Sequence, residues 1–417
     1  MTVAAFLSDL RRRGVSLSTD GEQLTLRAPK GVLGDAERER LKAEKAAILD
    51  CLRAEQTGGN DGAPFPLTDI QQAYLVGRAA ELELGKVGCH AYREFDCETV
   101  DLPRLEQAWN RLVARHPMLR AVFSTDGTQR VLDSVPAYRI EVEDLRGAID
   151  GQAILQQRRE ARSHRLFDPE RWPLFEINAI QLDDRVRLSI GVDLLIADAA
   201  ALITLFREWG AFYREPGQNL PPLAGRFADH ARRLPQPTSR ERAYWEARLD
   251  TLPSGPDLPR LPLTQPPRFV RRSFKLEAPR WRALKQAARA QGLTPSALVA
   301  AIYADVLAAW NRRTHFSLIL TQFAAPEGMQ GVVGDFTSTI LLEIDAAPPR
   351  FLERARAVQK RLLTDLDHAT MSGVAVLREL RRRRPDVEPV SVVFTSALGH
   401  PGLDPDAPSP LAWLGQT

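Results

Sequence analysis

The feature that most constrains the fold of this chain is a break in composition. Residues 56–64, Gln56-Thr-Gly-Gly-Asn-Asp-Gly-Ala-Pro64, hold three glycines, one proline and no large apolar side chain. Such a run neither enters a core nor sustains a helix or a strand, so it reads as a linker. It separates a small unit, residues 1–55, from a large one, residues 65–417. Within the small unit the hydrophobic period changes twice. Val3, Phe6, Leu7 and Leu10 fall on one helix face, with Thr2 placed to cap it and Gly14 to end it. Val15 and Leu17 then alternate with serines, Asp20-Gly21 supplies a hairpin turn, and Leu24 and Leu26 alternate on the return. A second helix follows, with Asp35 as the expected N-cap and Leu41, Ile48 and Leu52 on its buried side. An αββα unit of this size has a two-stranded sheet with an open edge, and open edges accept an added strand. Arg27 and Lys30, beside the second strand, would suit an acidic partner segment.

The large unit has ordinary globular material. Hydrophobic residues make up 44% of the chain and charged residues 26%, enough for a substantial core. The formal net charge is only +3, so no overall field calls for nucleic acid or a membrane surface. The runs Arg11-Arg12-Arg13 and Arg381-Arg382-Arg383-Arg384 read as solvated last turns of helices, where cations suit the dipole. Cys51, Cys89 and Cys97 offer no CxxC and no framework of pairs. Free thiols, no basic leader before an apolar run, and no bilayer-length apolar stretch together suggest a cytoplasmic protein with no metal site.

One junction in the large unit concentrates charge where charge is costly. Arg185-Val-Arg-Leu-Ser-Ile-Gly-Val192 reads as a strand and runs into Asp193-Leu-Leu-Ile-Ala-Asp198. A helix follows with Leu202, Leu205, Phe206 and Trp209 on one face. Asp198 stands where a helix N-cap belongs. Asp193, at an apolar strand end, needs a partner such as an arginine, because an unpaired buried charge is costly.

Strings along residues 65–417 carry a resemblance. Phe65-Pro-Leu-Thr-Asp-Ile-Gln-Gln-Ala-Tyr-Leu-Val-Gly-Arg78 resembles the opening of heterocyclization domains of nonribosomal peptide synthetases. Arg115-His-Pro-Met-Leu-Arg120, Ser163-His-Arg-Leu-Phe-Asp168, Gly334-Asp-Phe-Thr-Ser338 and Val392-Val-Phe-Thr-Ser396 follow in that family's order. Asp193 and Asp198 match its DxxxxD pair, which stands where ordinary condensation domains have HHxxxDG. Residues 1–55 resemble the N-terminal docking domains of tubulysin-type megasynthases.

The resemblance implies an α/β fold: a small αββα docking domain, then two lobes like chloramphenicol acetyltransferase with a tunnel between them. The first lobe would span 65–235 and the second 236–417, with the boundary near 235–262. It implies that a carrier-bound acyl donor is joined to carrier-bound Cys, Ser or Thr, and that the product is cyclised and dehydrated to a thiazoline or oxazoline. Partners would be an upstream synthase's C-terminal tail and two carrier proteins, whose phosphopantetheine arms make a directly bound cofactor unnecessary.

By the same resemblance Asp193 is mainly architectural, Asp198 divides between cap and tunnel, and Thr395 serves dehydration. Gly334, Asp335, Phe336, Thr337 and Ser338 would line the tunnel or shape its loop. There are departures: Ala201 replaces a serine, Ile319 an asparagine, and Ala324-Ala325 an Asn-Arg pair. The loop from Pro326 to Val333 is short, and the family's later SQTPQxxLD string, with the aspartate expected to act beside Thr395, is absent. The second lobe is therefore expected to be incomplete, with exposed apolar surface and no ring formation by this chain alone. The alternative is a catalytically silent module that docks and positions carriers.

Overall fold

The computed structural model describes Phe6, Leu7, Leu10 and residues 15–19, 24–28, 34–46 and 48–49 of the small unit. Of the large unit it describes 62–79, 85–260, 269–323, 325–326, 328–398, Leu411, Trp413 and Leu414. In the small unit β1 (Ser16–Thr19) pairs antiparallel with β2 (Leu24–Arg27), with Leu17 opposite Leu26. Phe6, Leu7, Leu10, Val15, Leu17, Leu41 and Ile48 form its core. The expected alternation fails on the return strand, for Leu26 is exposed although Leu17 is buried. Helix α1 (Asp35–Ala43) starts one residue earlier than expected: its N-cap is Gly34, whose N–H the Glu37 carboxylate accepts at 2.5 Å. Asp35 thus becomes a first-turn acid, a position equally suited to the dipole. Val3, the Asp20-Gly21 turn, Lys30 and Leu52 lie outside the described residues.

The large unit opens with β3 (Phe65–Pro66), α2 (Asp69–Val76) and β4 (His90–Cys97). Next come α3 (Leu102–Arg115), β5 (Ala121–Phe123), β6 (Thr128–Val131), β7 (Glu141–Asp144) and α4 (Gly151–Ser163). Strands β8 (Phe175–Gln181) and β9 (Val186–Asp193) then lead into α5 (Ala199–Arg214) and α6 (Phe227–Arg232). The main sheet runs β4-β9-β8-β7, antiparallel except for the last pair. Its inner strands are largely buried, and β8 is buried at every position from Phe175 to Ile180, Glu176 and Asn178 included. Helix α3 lays Leu105, Trp109 and Leu112 against α5, where Trp109 meets Trp209 edge to face at 4.9 Å.

Helix α7 (Ser239–Glu246) leads to α8 (Ala278–Ala290) and α9 (Pro295–Trp310), followed by the hairpin of β10 (His315–Phe323) and β11 (Thr337–Asp345). Then come α10 (Phe351–Leu366), α11 (Gly373–Arg383) and β12 (Val393–Phe394), which pairs parallel with β10 in a sheet ordered β11-β10-β12. This half has its own cores, one beneath α8 to α10 and one around Trp245 and Leu341. Ile302, Val306 and Trp310, one stripe of α9, are exposed. The arginine run does close a helix: Arg381, Arg382 and Arg383 fill the last turn of α11.

The two halves share material. The core around β8, β9 and α5 also contains Val332, Val333, Phe336, Leu411 and Leu414 from far along the chain. Trp413 meets Trp209 edge to face and lies tilted against Tyr213, and a Cβ at Gly210 would lie 2.6 Å from its indole nitrogen. Among the described residues no single helix is long and apolar enough to cross a membrane.

Candidate active site

The site is built where β9 ends, α2 begins and the hairpin of the second half arrives. Thr68 caps α2, its hydroxyl accepting from Gln71 N at 3.3 Å while Gln71 Oε1 accepts from Thr68 N at 3.0 Å. That reciprocal cap fixes the buried Gln71 amide, which donates to Leu195 O at 2.8 Å and so ties α2 to the loop after β9. Just past the C-terminal end of α2, Arg78 reaches the end of β9.

Asp193 is fully buried, and Arg78 Nη2 lies 2.7 Å from both of its carboxylate oxygens. Arg78 Nη1 donates to Phe167 O at 3.0 Å, and Leu195 N donates to Asp193 Oδ1 at 3.0 Å. Burial drives the Asp193 carboxyl upward, against the pull of Arg78 and the Leu195 N–H. A guanidinium nitrogen shared equally by both oxygens is the geometry of an ion pair, and we assign the carboxylate. The required arginine is therefore the last residue of the opening string.

Asp198 does two things at once. Its Oδ1 accepts from Ala201 N at 2.8 Å, capping α5. Its Oδ2 accepts from Phe336 N at 3.1 Å, and its own N–H donates to Gly334 O at 3.1 Å. Helix cap and inter-half clamp are one carboxylate. The clamp depends on glycine at 334, because a Cβ there would lie 2.2 Å from the Phe227 ring. The Phe336 ring packs edge to face on Phe227 at 5.2 Å and lies 5.0 Å from His230. Thr337 begins β11, and Ser338 pairs with Gln322 of β10.

A second clamp joins the N-termini of α2 and α11: Ser372 Oγ, the cap of α11, donates to Asp69 Oδ2 at 2.5 Å. Asp335 lies between the clamps. It is 1% exposed; Thr337 N donates to its Oδ1 at 3.0 Å, and its buried Oδ2 has no hydrogen-bond partner. Burial lifts this carboxyl to about 8; Thr337 opposes the rise and the charges of Asp198 and Asp193 add to it. The Tyr74 phenol is raised too, chiefly by burial and then by the charge of Asp335.

Thr395 stands elsewhere. It follows the edge strand β12, is exposed, and bonds Thr321 Oγ1 at 2.9 Å on β10. Arg27 is exposed on β2. The structure thus gathers Asp193, Asp198 and Gly334 to Ser338 into one site, while Thr395 follows β12, on the far side of β10 from Thr337 and Ser338 in the sheet β11-β10-β12. In the sequence Arg78 stands only as the end of a string, and Asp335 only as one of five residues expected to line the tunnel or shape its loop. The signal for Asp335 was an acid followed by phenylalanine at the start of an apolar strand, with no basic residue within reach along the chain.

The description of the condensation domain matches residues 65–399, and that of the TubC N-terminal docking domain matches residues 3–54. The chain belongs to the condensation-domain family. Pyochelin synthetase PchF of Pseudomonas aeruginosa is 38% identical over 96% of this chain, which spans 23% of that protein. Phenyloxazoline synthase MbtB of a Mycobacterium species is 38% identical over 87% of the chain, spanning 32% of its length. Among solved structures, the EpoB cyclization-docking bidomain from Sorangium cellulosum superposes with a TM-score of 0.76 at 33% identity, covering 99% of this chain and 87% of that one. The fold is that of the condensation domains, mixed α/β and two-lobed, preceded by a docking domain.

Proposed function

We propose that this chain is the docking and heterocyclization portion of a nonribosomal peptide synthetase, with its lobes at 65–235 and 236–417. It joins a carrier-bound acyl donor to carrier-bound Cys, Ser or Thr and closes the product to a thiazoline or oxazoline. The observation that carries this reading is the DxxxxD junction, where Asp193 is neutralised by Arg78 and Asp198 locks the second half onto the first. A shared site between two lobes brings two tethered substrates together, which makes amide formation locally unimolecular. Dehydration of the ring needs a proton given to a poor leaving hydroxyl, which is acid–base work assigned in part to Thr395. The similarity to PchF, MbtB and the EpoB bidomain supports the same activity.

The substrates arrive on phosphopantetheine arms of partner carriers, in the cytoplasm. A groove of about 530 Å³ between α2 and α11, with Val76 and Leu377 in its walls and Arg378, Arg381 and Arg384 at its rim, suits a phosphate-bearing arm. The small domain takes the acidic C-terminal tail of an upstream synthase along β2, where Thr25, Leu26 and Arg27 are exposed. Titrating the isotope-labelled chain with that tail peptide should move the β2 amides first; shifts confined to other elements would overturn the docking assignment.

The activity itself is tested by loading donor and acceptor carriers and following product mass. The expected product of this chain alone is the linear amide, with a species lighter by one further water where the assay also supplies the aspartate of the SQTPQxxLD string. Carrier binding without either product would leave the silent docking module as the better reading.

A further inference from the structure

Below the Gly334–Ser338 turn lies a cavity of about 210 Å³ shared by the two halves. Its walls come from the start of α2, the end of α6, the turn itself and the segment leading into α11. Its ionisable lining residues are Asp69, His230 and Asp335, and among the described residues it contains no lysine or arginine. Burial lowers the affinity of His230 for a proton, so it adds no cation. Asp69 is already engaged, by the Ser372 hydroxyl at 2.5 Å and by Arg378 at 3.7 Å. Asp335 is not: one of its oxygens is buried, partnerless and beside the cavity.

A buried carboxyl held only by Thr337, with one oxygen left unpartnered and no cation in the cavity wall, is the wrong end state for a structural residue. It is the right one for a group that meets a cation or a proton only when substrate is present. We propose that this cavity receives the amine end of the acceptor aminoacyl group, with Asp335 Oδ2 taking the proton that the amine must shed. The inference rests on the condensation reading and names the residue that would serve its first step.

The balance of the step is complete within the two substrates and Asp335. The acceptor nitrogen attacks the donor thioester carbon, forming the C–N bond, and its surplus proton passes to the Asp335 carboxylate. As the C–S bond breaks, the sulfur leaves with the bonding pair and takes that proton back. Asp335 ends as it began, and the products are an amide and a free thiol.

Residues around Asp335 tune it to such a proton. Asp193 at the end of β9 and Asp198 at the cap of α5 add negative charge, Arg78 just past the end of α2 offsets Asp193, and Asp69 faces from the start of α2. Tyr74 and Cys89, also near, have their own proton affinities raised by burial and stay neutral. A carboxyl lifted to about 8 holds a proton about as strongly as an α-amine, whose ordinary pKa is about 7.7–8.0. Transfer between them is close to level, which is where general acid–base catalysis works best.

The test uses the whole chain and two readouts. Asp335→Asn keeps the oxygen that accepts from Thr337 but cannot take a proton. Its amide-forming rate at pH 7 should fall within the range of about 10²–10⁴ that a positioned proton carrier contributes. The wild-type rate should climb with pH toward about 8 beyond what the amine alone dictates, and that excess should vanish in the variant. The second readout needs no turnover. An aminoacyl-pantetheine amide with a free amine should bind the wild type at least tenfold more tightly than its N-acetylated form, with a shift in the Asp carboxyl carbon signal. Equal binding of the two forms, or a variant with unchanged rate and pH profile, would overturn the assignment. Failure of the wild type to make any amide would count against the condensation reading instead, with the binding comparison still deciding the role of Asp335.

Discussion

The end of β9 and the end of β12 make an instructive pair. Both are strand ends in the same family pattern, and both carry a polar residue drawn from a matching string. At β9 every polar group is placed by others: Arg78 and Leu195 N hold Asp193, while Ala201 N and Phe336 N hold Asp198. At β12 Thr395 is exposed and, among the described residues, meets the one hydroxyl of Thr321. A matching string therefore says which residue type stands at a position, not how firmly it is held. The first region is set by folding; the second takes its chemistry from whatever reaches it.

Substitutions should separate the two regions by size of effect. Asp193→Ala strands the Arg78 guanidinium in the interior, and losing one partner of a buried pair costs about 3–5 kcal/mol. Chemical unfolding should show this as the largest loss of the set. A cost below 1 kcal/mol would mean that water reaches the pair.

Asp198→Ala should come next. A lost cap is worth about 1 kcal/mol and a hydrogen bond to a charged group about 1.5–3 kcal/mol. Asp198→Asn, which keeps an oxygen for Ala201 N, should recover part of it. If the two variants unfold alike, the cap on Ala201 N contributes nothing and the loss lies in the clamp to Phe336.

Asp335 should act through pH. Its folded-state carboxyl binds a proton up to about 8, whereas the unfolded chain releases it near 3.9. The folded state binds more protons across that window, so this residue's contribution to stability is present at low pH and is lost as pH rises toward 8. Asp335→Asn should flatten the slope of unfolding free energy between pH 5 and about 8. An unchanged slope would place an ordinary carboxylate there.

Thr395→Val should change stability least, within about 0.5 kcal/mol, as expected for an exposed position. In the loaded-carrier assay it should nevertheless halt dehydration and leave the linear amide. Undiminished loss of water would remove Thr395 from the chemistry.

The sequence made the elements legible where a local rule governs them. The strand into Asp193, the helix after Asp198 and the need for an arginine at Asp193 all follow from spacing and the cost of buried charge. Leu26 was misjudged because alternation assumes that both strands of a hairpin face the same core, and this core is too thin to cover the second. Asp335 was unreadable for a different reason. Its state depends on burial between the halves and on the charges of Asp198 and Asp193, which reach it only after both halves have folded, and no period in the chain encodes their meeting.

One contact described above limits how this protein can be recombined. Gly210 on α5 is shaped to the indole of Trp413, and Val332, Val333 and Phe336 fill the same core from the other side of the chain. A chimera that exchanged only residues 65–235 would bring a foreign α5 to a native Trp413, and any side chain at 210 larger than hydrogen would collide with it. The unit of exchange is set by the threading of the chain: the first half travels with the turn at 332–336 and the residues at 411–414, or it arrives with holes in its core.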